Sequence, residues 1–282
     1  LDCGIKANES IAYSIENNID FIVCDHHMPD KELPSANAIL DPKREDCKYP
    51  YKELSGCGVG FKLLQAYSQK YGTQELSVHL YKQLELLAMS IASDIVPLTG
   101  ENRVLAYHGL KQINSAPSAG VRAIMKVAGL EGNVVNISDL VYKIGPRINA
   151  SGRISSGKTA VDLLIADDWE TALKHSEDIN RYNETRKGYD HQTTIEALEQ
   201  LKQDTQNDFK KTTVVCGEQW QQGVVGIVAS RLTETYYRPT IVLTKGEDSS
   251  LLVGSARSVG GFDIYSAIES CRDLLTNFGG HV

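Results

Sequence analysis

The order of apolar and polar positions at the start of the chain predicts a strand, a helix and a second strand. Residues 1–4 have the pattern of a strand end followed by a turn, and apolar residues recur at helical spacing within residues 5–17. The apolar run over residues 19–24 is typical of a strand buried on both faces of a parallel sheet. Because such crossovers are right-handed, the two strands should be parallel and adjacent, with their carboxyl ends at one edge. A further short strand is predicted at residues 38–40.

Helical periodicity dominates the middle of the chain. Apolar residues spaced by threes and fours predict one long helix from residue 74 to about residue 93. A short helix beginning at Ser138 should stop at Gly145 and Pro146. The other predicted helices cover residues 55–71, 101–113, 120–128 and 169–203, the last being one long helix or two in line with a kink at Gly188.

A polar linker at residues 206–211 precedes a second set of strands and helices. Strands are predicted at residues 212–216, 239–244 and 251–255, and helices at residues 223–236 and 264–275. The whole pattern predicts an α/β fold in which a parallel-sheet domain is joined by a long helix to a smaller α/β domain. The expected boundaries are residues 1–166 for the first domain, 167–205 for the connecting helix and 206–282 for the second domain.

Composition narrows the possible functions. The 282 residues carry a formal net charge of −7, so the overall field repels nucleic acid, and binding to a polyanion would depend on local basic groups or bound cations. The six cysteines form no C-x-x-C pair, which favours a reducing cytoplasm. No apolar run approaches ~18 residues, so neither a membrane span nor a signal peptide is expected. The chain lacks an initial Met and ends on Gly-Gly-His-Val, and both ends are expected to be cut from something longer.

Three acidic and imidazole positions indicate a metal site. Asp25, His26 and His27 come directly after the apolar run, where Asp2 should lie at the same sheet edge. Adjacent histidines in a strand point to opposite faces, so at most one of them should be a direct ligand. A hydrogen-bonded structural histidine is the alternative. Asp94 closes a predicted helix, where a carboxylate opposes the macrodipole and needs a partner such as a cation, unless it is exposed or caps the next turn.

Two other segments suit phosphate binding. Between residues 143 and 158 there are four basic residues and no acidic ones, and a cradle formed by Arg147, Asn149 and Arg153 would match phosphate oxygens. A solvated basic turn is the alternative. In the second half, the helix start at Gly223 and Gly226 should offer free main-chain amides, and Ser255 and Arg257 end a strand. Trp220 could stack a base or simply pack.

Taken in order, these motifs resemble the DHH phosphoesterase superfamily, and within it the bacterial exonucleases specific for single-stranded DNA. The resemblance lies in Leu1-Asp2-Cys3-Gly4, Asp25-His26-His27, Ala92-Ser93-Asp94-Ile95-Val96-Pro97 and Pro146-Arg147-Ile148-Asn149-Ala150-Ser151-Gly152-Arg153. Residues 220–231, Gly254-Ser255-Ala256-Arg257-Ser258 and Gly279-Gly280-His281 are similar to the DHH-associated domain. Gln221 and Gln222 depart from the usual residues of that loop.

The resemblance implies a role for each candidate. Asp2 would be shared between two divalent cations, Mn²⁺ or Mg²⁺, and His26 and Asp94 would bind one of them. His27 would face the scissile phosphate with Asp25 orienting its neighbours, and His281 would approach from the second domain. Arg147, Asn149 and Arg153 would hold the phosphates of the strand, and Ser255 and Arg257 the terminal 5′ phosphate, near Gly223 and Gly226.

The implied activity is 5′-to-3′ hydrolysis of single-stranded DNA for repair and recombination, with a single-strand-binding protein and a helicase as further partners. A DHH oligoribonuclease or nucleotide phosphatase is one alternative, and a non-catalytic DNA-binding scaffold is another. The family's first, aspartate-rich motif is expected to precede Leu1. With that half of the metal site missing, this stretch alone should have little nuclease activity.

Overall fold

A computed structural model of the chain describes residues 1–246, 248 and 250–279. The described residues form two compact units. The first consists of residues 1–148 and 160–177, and the second consists of residues 149–159 and the described residues from 178 onward. None of the helices in the described part of the chain combines the length and the apolar character that a membrane span requires.

Both units combine helices with short strands. The α-helices are α1 Asn8–Glu16, α2 Gly56–Tyr71, α3 Gln74–Tyr81, α4 Leu84–Ser93, α5 Gly100–Ser115, α6 Ala119–Val127, α7 Ile137–Asp139, α8 Gly145–Ile154, α9 Lys158–Leu164, α10 Trp169–Gln203, α11 Gln222–Tyr236 and α12 Ile264–Glu269. The strands are β1 Ile22–Cys24, β2 Ala38–Leu40, β3 Thr213–Cys216, β4 Thr240–Lys245 and β5 Leu252–Arg257. The predicted α/β class, with a parallel sheet and a long helix, is confirmed.

The parallel sheet of the first unit pairs β1 with β2, so that Cys24 lies opposite Leu40. The prediction of a strand at residues 1–4 parallel to β1 is wrong, because Cys3 forms only an isolated antiparallel bridge with Cys24. Asp2 has a φ of 63°, a left-handed conformation that interrupts extended backbone. Asp2 nevertheless lies beside the carboxyl end of β1, as expected, since its N–H donates to the Cys24 carbonyl at 2.8 Å.

The apolar run before Asp25 is buried only toward its carboxyl end. Val23 and Cys24 are adjacent in β1 and point to opposite faces, and both are buried, with Cys24 packing against Leu54 and Val59. The Ile22 side chain, at the start of the strand, is 58% exposed. The predicted burial on both faces therefore holds for residues 23 and 24 and not for the start of the run.

The predicted long helix over residues 74–93 is two helices, α3 and α4, separated at Lys82 and Gln83. Side-chain spacing could not locate this break, because it is stabilised from another element. The Gln112 side chain on α5 donates to the Lys82 carbonyl at 2.5 Å, which satisfies a main-chain acceptor at the end of α3. Leu87 and Ile91 of α4 then pack with Ala106 of α5 in the core of the first unit.

The sequence predicts that a helix ends at Gly145 and Pro146, but the chain remains helical there. It passes from α7 through a π-helical turn, Leu140–Ile144, directly into α8. The Gly145 N–H donates to the Leu140 carbonyl five residues earlier. This wider turn lets the helix continue through Pro146, which has no N–H to donate. Gly145 also lies close to Ser93, because a β-carbon built on it would be 3.1 Å from the Ser93 Oγ.

The second unit contains a three-stranded sheet in the order β3, β4, β5. β3 and β4 are parallel, β4 and β5 are antiparallel, and α11 packs on this sheet together with the last part of α10. The last predicted helix, over residues 264–275, is shorter than expected and ends at Glu269. Leu274 is 85% exposed, so continuing the helix would bury little apolar surface.

Two glycines in helix interiors should respond oppositely to replacement by alanine. A β-carbon on Gly109 would lie 2.2 Å from the Leu84 carbonyl oxygen, whereas one on Gly188 would meet nothing within 4 Å. Gly109→Ala should therefore lower the free energy of unfolding by about 2 kcal/mol, because α4 and α5 must separate. Gly188→Ala should raise it by about 0.5–1 kcal/mol through helix propensity. Urea unfolding followed by circular dichroism measures both, and effects of equal sign would contradict the close approach of α4 and α5.

Candidate metal centre and phosphate pocket

The imidazole of His26 is held so that one nitrogen faces two carboxylates. Its Nδ1 lies 3.1 Å from the Leu54 carbonyl oxygen, which can only accept, so Nδ1 carries the proton and Nε2 keeps its lone pair. Nε2 lies 3.2 Å from Asp2 Oδ1 and 3.3 Å from Asp94 Oδ2. It is buried and has no hydrogen-bond partner among the described residues. Three electron-rich atoms thus converge on one point in the first unit.

The two carboxylates are placed by unusual backbone. Asp2 has a φ of 63°, and Ile95, directly after Asp94, has a φ of 54°, which is rare for a β-branched residue. Asp94 itself is the C-cap of α4. Such strain is common at functional sites because the surrounding structure must maintain it. The left-handed backbone lies at Asp2 itself and directly after Asp94, whose own backbone is right-handed.

The glycine-rich start of α2 leaves room for Asp2. A β-carbon on Gly56 would lie 2.0 Å from Asp2 Oδ1, so no other residue fits at this position without a shift. The Ser55 side chain caps the helix by accepting from the Gly58 N–H at 3.1 Å. The start of α2 therefore packs directly against the carboxylate of Asp2.

Asp25 is 1% exposed and accepts hydrogen bonds from several directions. Its carboxylate accepts from the Ile5 N–H at 3.0 Å, the His26 N–H at 2.8 Å and the His27 Nδ1 at 2.7 Å. Burial alone would raise the pKa of Asp25, but these hydrogen bonds outweigh it and lower that pKa below its ordinary value. The ionised side chain therefore orients both histidines, whose rings are inclined at 64°.

Asp41 follows β2 and lies near this centre. Its Oδ1 accepts from the Lys43 N–H at 2.8 Å, which is a hydrogen bond typical of an aspartate in a turn. The residue is 2% exposed, and burial raises its pKa. Asp41 is therefore a turn residue that also brings a buried carboxyl group close to Asp25 and His26.

The donor set of the first unit fits a divalent cation. Asp2, His26 and His27 each offer a ligand atom within 4.8 Å of the others, and Asp94 adds a second carboxylate next to His26. Carboxylate oxygens suit Mg²⁺ and Mn²⁺, and imidazole is a ligand of many divalent metals. A cation there would also relieve the repulsion between the lone pair of His26 and the two carboxylates.

The second unit contains a pocket of about 790 Å³ that is bordered by arginine and glycine residues. Arg153 donates to the Gly223 carbonyl at 3.0 Å, and Arg257 donates to Ser230 Oγ at 3.1 Å and to Ser255 Oγ at 2.9 Å. All these acceptors are neutral. The pocket therefore combines two guanidinium groups with hydroxyl groups, which is a combination suited to phosphate.

The glycines of this pocket provide space rather than the free amides expected from the sequence. The Gly223 N–H donates to the Gln221 side chain at 3.0 Å, so that amide is already capped. A β-carbon on Gly223 would lie 2.3 Å from the Arg153 carbonyl oxygen, and one on Gly226 would lie 3.1 Å from Ser255 Oγ. The absence of side chains at Gly223 and Gly226 thus allows α11 to approach Arg153 and Ser255.

The basic segment from Pro146 to Arg153 is part of helix α8 and not a turn. Asn149 and Arg153 are four residues apart, on one face of this helix in the second unit, and Asn149 is exposed. Arg147 belongs to the first unit and donates to the Lys143 carbonyl at 2.7 Å. The phosphate cradle formed by Arg147, Asn149 and Arg153 stays a prediction.

Two other residues named from the sequence are Trp220 and His281. Trp220 is 7% exposed and its Nε1 donates to Glu196 at 2.7 Å, so it packs in the core, which is one of its two expected roles, and it also borders the pocket. His281 lies outside the described residues. Sequence reasoning missed Leu54 because it acts through its main-chain carbonyl, which no residue type signals.

Two sequence families match this chain. Residues 1–91 match the DHH family, N-terminal domain, and residues 208–282 match the DHHA1 domain.

Curated relatives match the chain over its whole length. It is 38% identical over 281 residues to the single-stranded-DNA-specific exonuclease RecJ of Bacillus subtilis (strain 168) and 33% identical over 296 residues to that of Escherichia coli (strain K12). Each match covers 100% of this chain, but only 34% of the Bacillus protein and 51% of the Escherichia protein. The chain thus spans about a third to a half of the length of these relatives.

Solved structures agree with these relatives. The crystal structure of RecJ in complex with Mn²⁺ from Thermus thermophilus matches with a TM-score of 0.86 and 29% identity, covering 100% of this chain and 40% of that chain. The crystal structure of exonuclease RecJ bound to manganese matches with a TM-score of 0.81 and 30% identity, covering 100% of this chain and 68% of that one.

Replacing Asp25 by asparagine should lower the free energy of unfolding by about 2 kcal/mol at neutral pH. The carboxylate accepts hydrogen bonds from N–H groups, and the NH₂ of an amide would face these donors with another donor. The folded-state pKa of Asp25 is lowered, so its contribution is fully present above its unfolded pKa, at about 4, and is lost as the pH falls through the folded pKa. The difference between the two proteins should therefore be constant near neutral pH and narrow at acidic pH.

Urea unfolding at a series of pH values measures this difference. Asp46→Asn is the matched control, since the pKa of Asp46 is also lowered, by its hydrogen bond with Arg44, but the side chain is exposed. The control should change stability little. A deficit of Asp25→Asn that stays constant into the acidic range would contradict the proposed source of its stability.

Proposed function

The chain belongs to the DHH family, and from this we propose that the protein is a metal-dependent exonuclease that hydrolyses single-stranded DNA from its 5′ end. The observation that carries the proposal is the buried Nε2 of His26, which faces the carboxylates of Asp2 and Asp94 and has no hydrogen-bond partner in the described part of the chain. The curated relatives bear the same specificity in their names. Because the chain covers only part of their length, the activity is proposed for the complete gene product.

Asp2, His26 and Asp94 would hold Mn²⁺ or Mg²⁺, with Asp2 shared between two cations. When bound, such cations activate a water molecule and neutralise the developing charge on the phosphate. The protein's part is to keep His26 in one tautomer through Leu54 and to hold both carboxylates beside it.

His27 would act on the scissile phosphate. Its Nδ1 is bound to the ionised Asp25 at 2.7 Å, so the opposite ring nitrogen, Nε2, points away from Asp25. A carboxylate on one nitrogen makes the imidazole a better hydrogen-bond partner and proton acceptor at the other. In the second domain, His281 would approach the same phosphate.

The DNA strand would be held by few and local positive charges. Arg153, Ser255 and Arg257 border the pocket of the second unit and would bind the terminal 5′ phosphate, while Arg147 and Asn149 would contact phosphates of the strand. With a net charge of −7, the protein would otherwise repel DNA. Residues 1–166 would form the catalytic domain and residues 206–282 the substrate-binding domain, with residues 167–205 as the connecting helix.

We also place the protein in the cytoplasm, in DNA repair and recombination, with a single-strand-binding protein and a helicase as partners. All six cysteines are free thiols, which a reducing compartment would preserve. No membrane association is proposed.

The function is tested by digestion of end-labelled single and double strands with the complete gene product and Mn²⁺. Single strands should be degraded with early release of the 5′ label, and double strands should resist. His27→Ala should lower turnover by about a hundredfold or more, because proton transfer at the phosphate is lost, with strand affinity changed little. Early release of the 3′ label, preference for short RNA, or full activity of His27→Ala would each contradict the proposal.

The metal site is tested separately on the 282-residue chain by titration with Mn²⁺, followed by electron paramagnetic resonance. Asp94→Asn should weaken binding by on the order of tenfold, since affinity depends on the number of charged ligands. Asp30→Asn serves as the control, because Asp30 is exposed and pairs with Lys6. Equal affinities of the Asp94 variant and the control would remove Asp94 from the ligand set.

A further inference from the structure

Asn102 lies at the start of α5 and connects two main-chain segments of the first unit. Its Nδ2 donates to the Glu53 carbonyl at 2.5 Å and to the Pro97 carbonyl at 3.0 Å. Both acceptors are carbonyl oxygens, which never donate, so the NH₂ group and not Oδ1 must face them. One amide group therefore holds the segment before α2 against the segment between α4 and α5.

Each of these two segments carries a part of the metal centre. Glu53 directly precedes Leu54, whose carbonyl oxygen lies 3.1 Å from His26 Nδ1. Pro97 follows three residues after Asp94, whose Oδ2 lies 3.3 Å from His26 Nε2. Asn102 thus connects the main chain that orients the imidazole to the main chain that carries one of the carboxylates.

The segment after Asp94 is irregular and is fixed mainly through one carbonyl group. Ile95 has a φ of 54°, and a proline such as Pro97 has no N–H with which to bind a neighbour. The Pro97 carbonyl accepts a second hydrogen bond from the Tyr51 hydroxyl at 3.1 Å. Tyr51 lies two residues before Glu53, so the same two segments are connected twice.

The protein tolerates an unpaired acceptor in order to keep this amide. Asn102 is fully buried, and its Oδ1 has no hydrogen-bond partner among the residues that the structure describes. A buried acceptor without a partner lowers stability, so its presence in a native core requires a reason. The reason lies in the other half of the amide, because a neutral NH₂ group supplies the two donors that Glu53 and Pro97 require.

We propose that Asn102 is a positioning residue for the metal centre, which fixes the Asp94 carboxylate relative to the His26 imidazole before a cation binds. Asp94 and Asp2 both face the His26 lone pair, so Asp94 moves away from this point unless the main chain restrains it. Ligand atoms that are already in place bind more tightly, because less ordering accompanies binding. The inference rests on the proposed function for the identity of the cation, Mn²⁺ or Mg²⁺.

The test is a titration of the 282-residue chain with Mn²⁺, followed by electron paramagnetic resonance. Asn102→Ala removes both donors and should weaken Mn²⁺ binding about tenfold, as is typical when a residue that orients a metal ligand is lost. Asn114→Ala is the matched control, because Asn114 lies in the last turn of α5 and donates to the Leu110 and Val135 carbonyls, each at 2.8 Å. The control should bind Mn²⁺ as the wild-type chain does. Equal affinities of a folded Asn102→Ala and the control would overturn the inference.

A double variant shows whether Asn102 acts through Asp94. In a chain that already carries Asp94→Asn, adding Asn102→Ala should weaken Mn²⁺ binding little further, because the carboxylate that Asn102 positions is gone. A second tenfold loss in the double variant would indicate a general loosening of the first unit. That result would also overturn the inference.

Tyr51→Phe provides the measurement if Asn102→Ala does not fold. It removes the hydroxyl that donates to Pro97 and keeps the aromatic ring that lies against Gly100. Mn²⁺ binding should weaken about threefold, as expected for one neutral hydrogen bond. In that case an unchanged affinity of Tyr51→Phe would overturn the inference.

Digestion by the complete gene product is measured separately, so the two proposals can fail independently. If strands are digested but Asn102→Ala binds Mn²⁺ as the control does, the inference fails and the proposed function stands. If Mn²⁺ affinity depends on Asn102 but no strand is digested, the positioning role stands and the proposed function fails.

Discussion

The ionised carboxylate of Asp25 is the interaction on which the first unit's site depends. One buried side chain binds the main chain at Ile5 and His26 and the ring of His27. These bonds lower the pKa of Asp25 despite its burial, so the group stays charged where an isolated carboxylate would not. Both histidines are oriented because this single acceptor is satisfied from several sides.

Around Asp25, the structure tolerates local costs that regular secondary structure would avoid. Asp2 and Ile95 adopt left-handed backbone, and Gly56 gives up a side chain to make room for Asp2. Each of the two left-handed residues costs on the order of 1–3 kcal/mol and persists only where other contacts maintain it. They share one result, which is that two carboxylates and one imidazole lone pair face each other.

The two units concentrate opposite charges in different places. The first unit gathers carboxylates beside His26, and the second gathers guanidinium groups bound to neutral acceptors. Like charges held together lower stability in the empty protein and favour binding of the counter-ion. The net charge of −7 is a sum over the whole chain and does not report the local charge at either site. For this reason, composition alone disfavoured binding to nucleic acid.

The sequence by itself determined the α/β class, the position of most helices and strands, and the acidic and imidazole residues that meet beside His26. These follow from local periodicity and from polar residues at strand and helix ends, which depend on neighbours along the chain. Only the tertiary structure decided the break before α4, the continuation of the helix through Pro146, the space at Gly56 and the contact of Leu54 with His26. Each of these depends on a contact between segments far apart in sequence, as between His26 and a carbonyl 28 residues later, and such contacts arise from packing that no local pattern records.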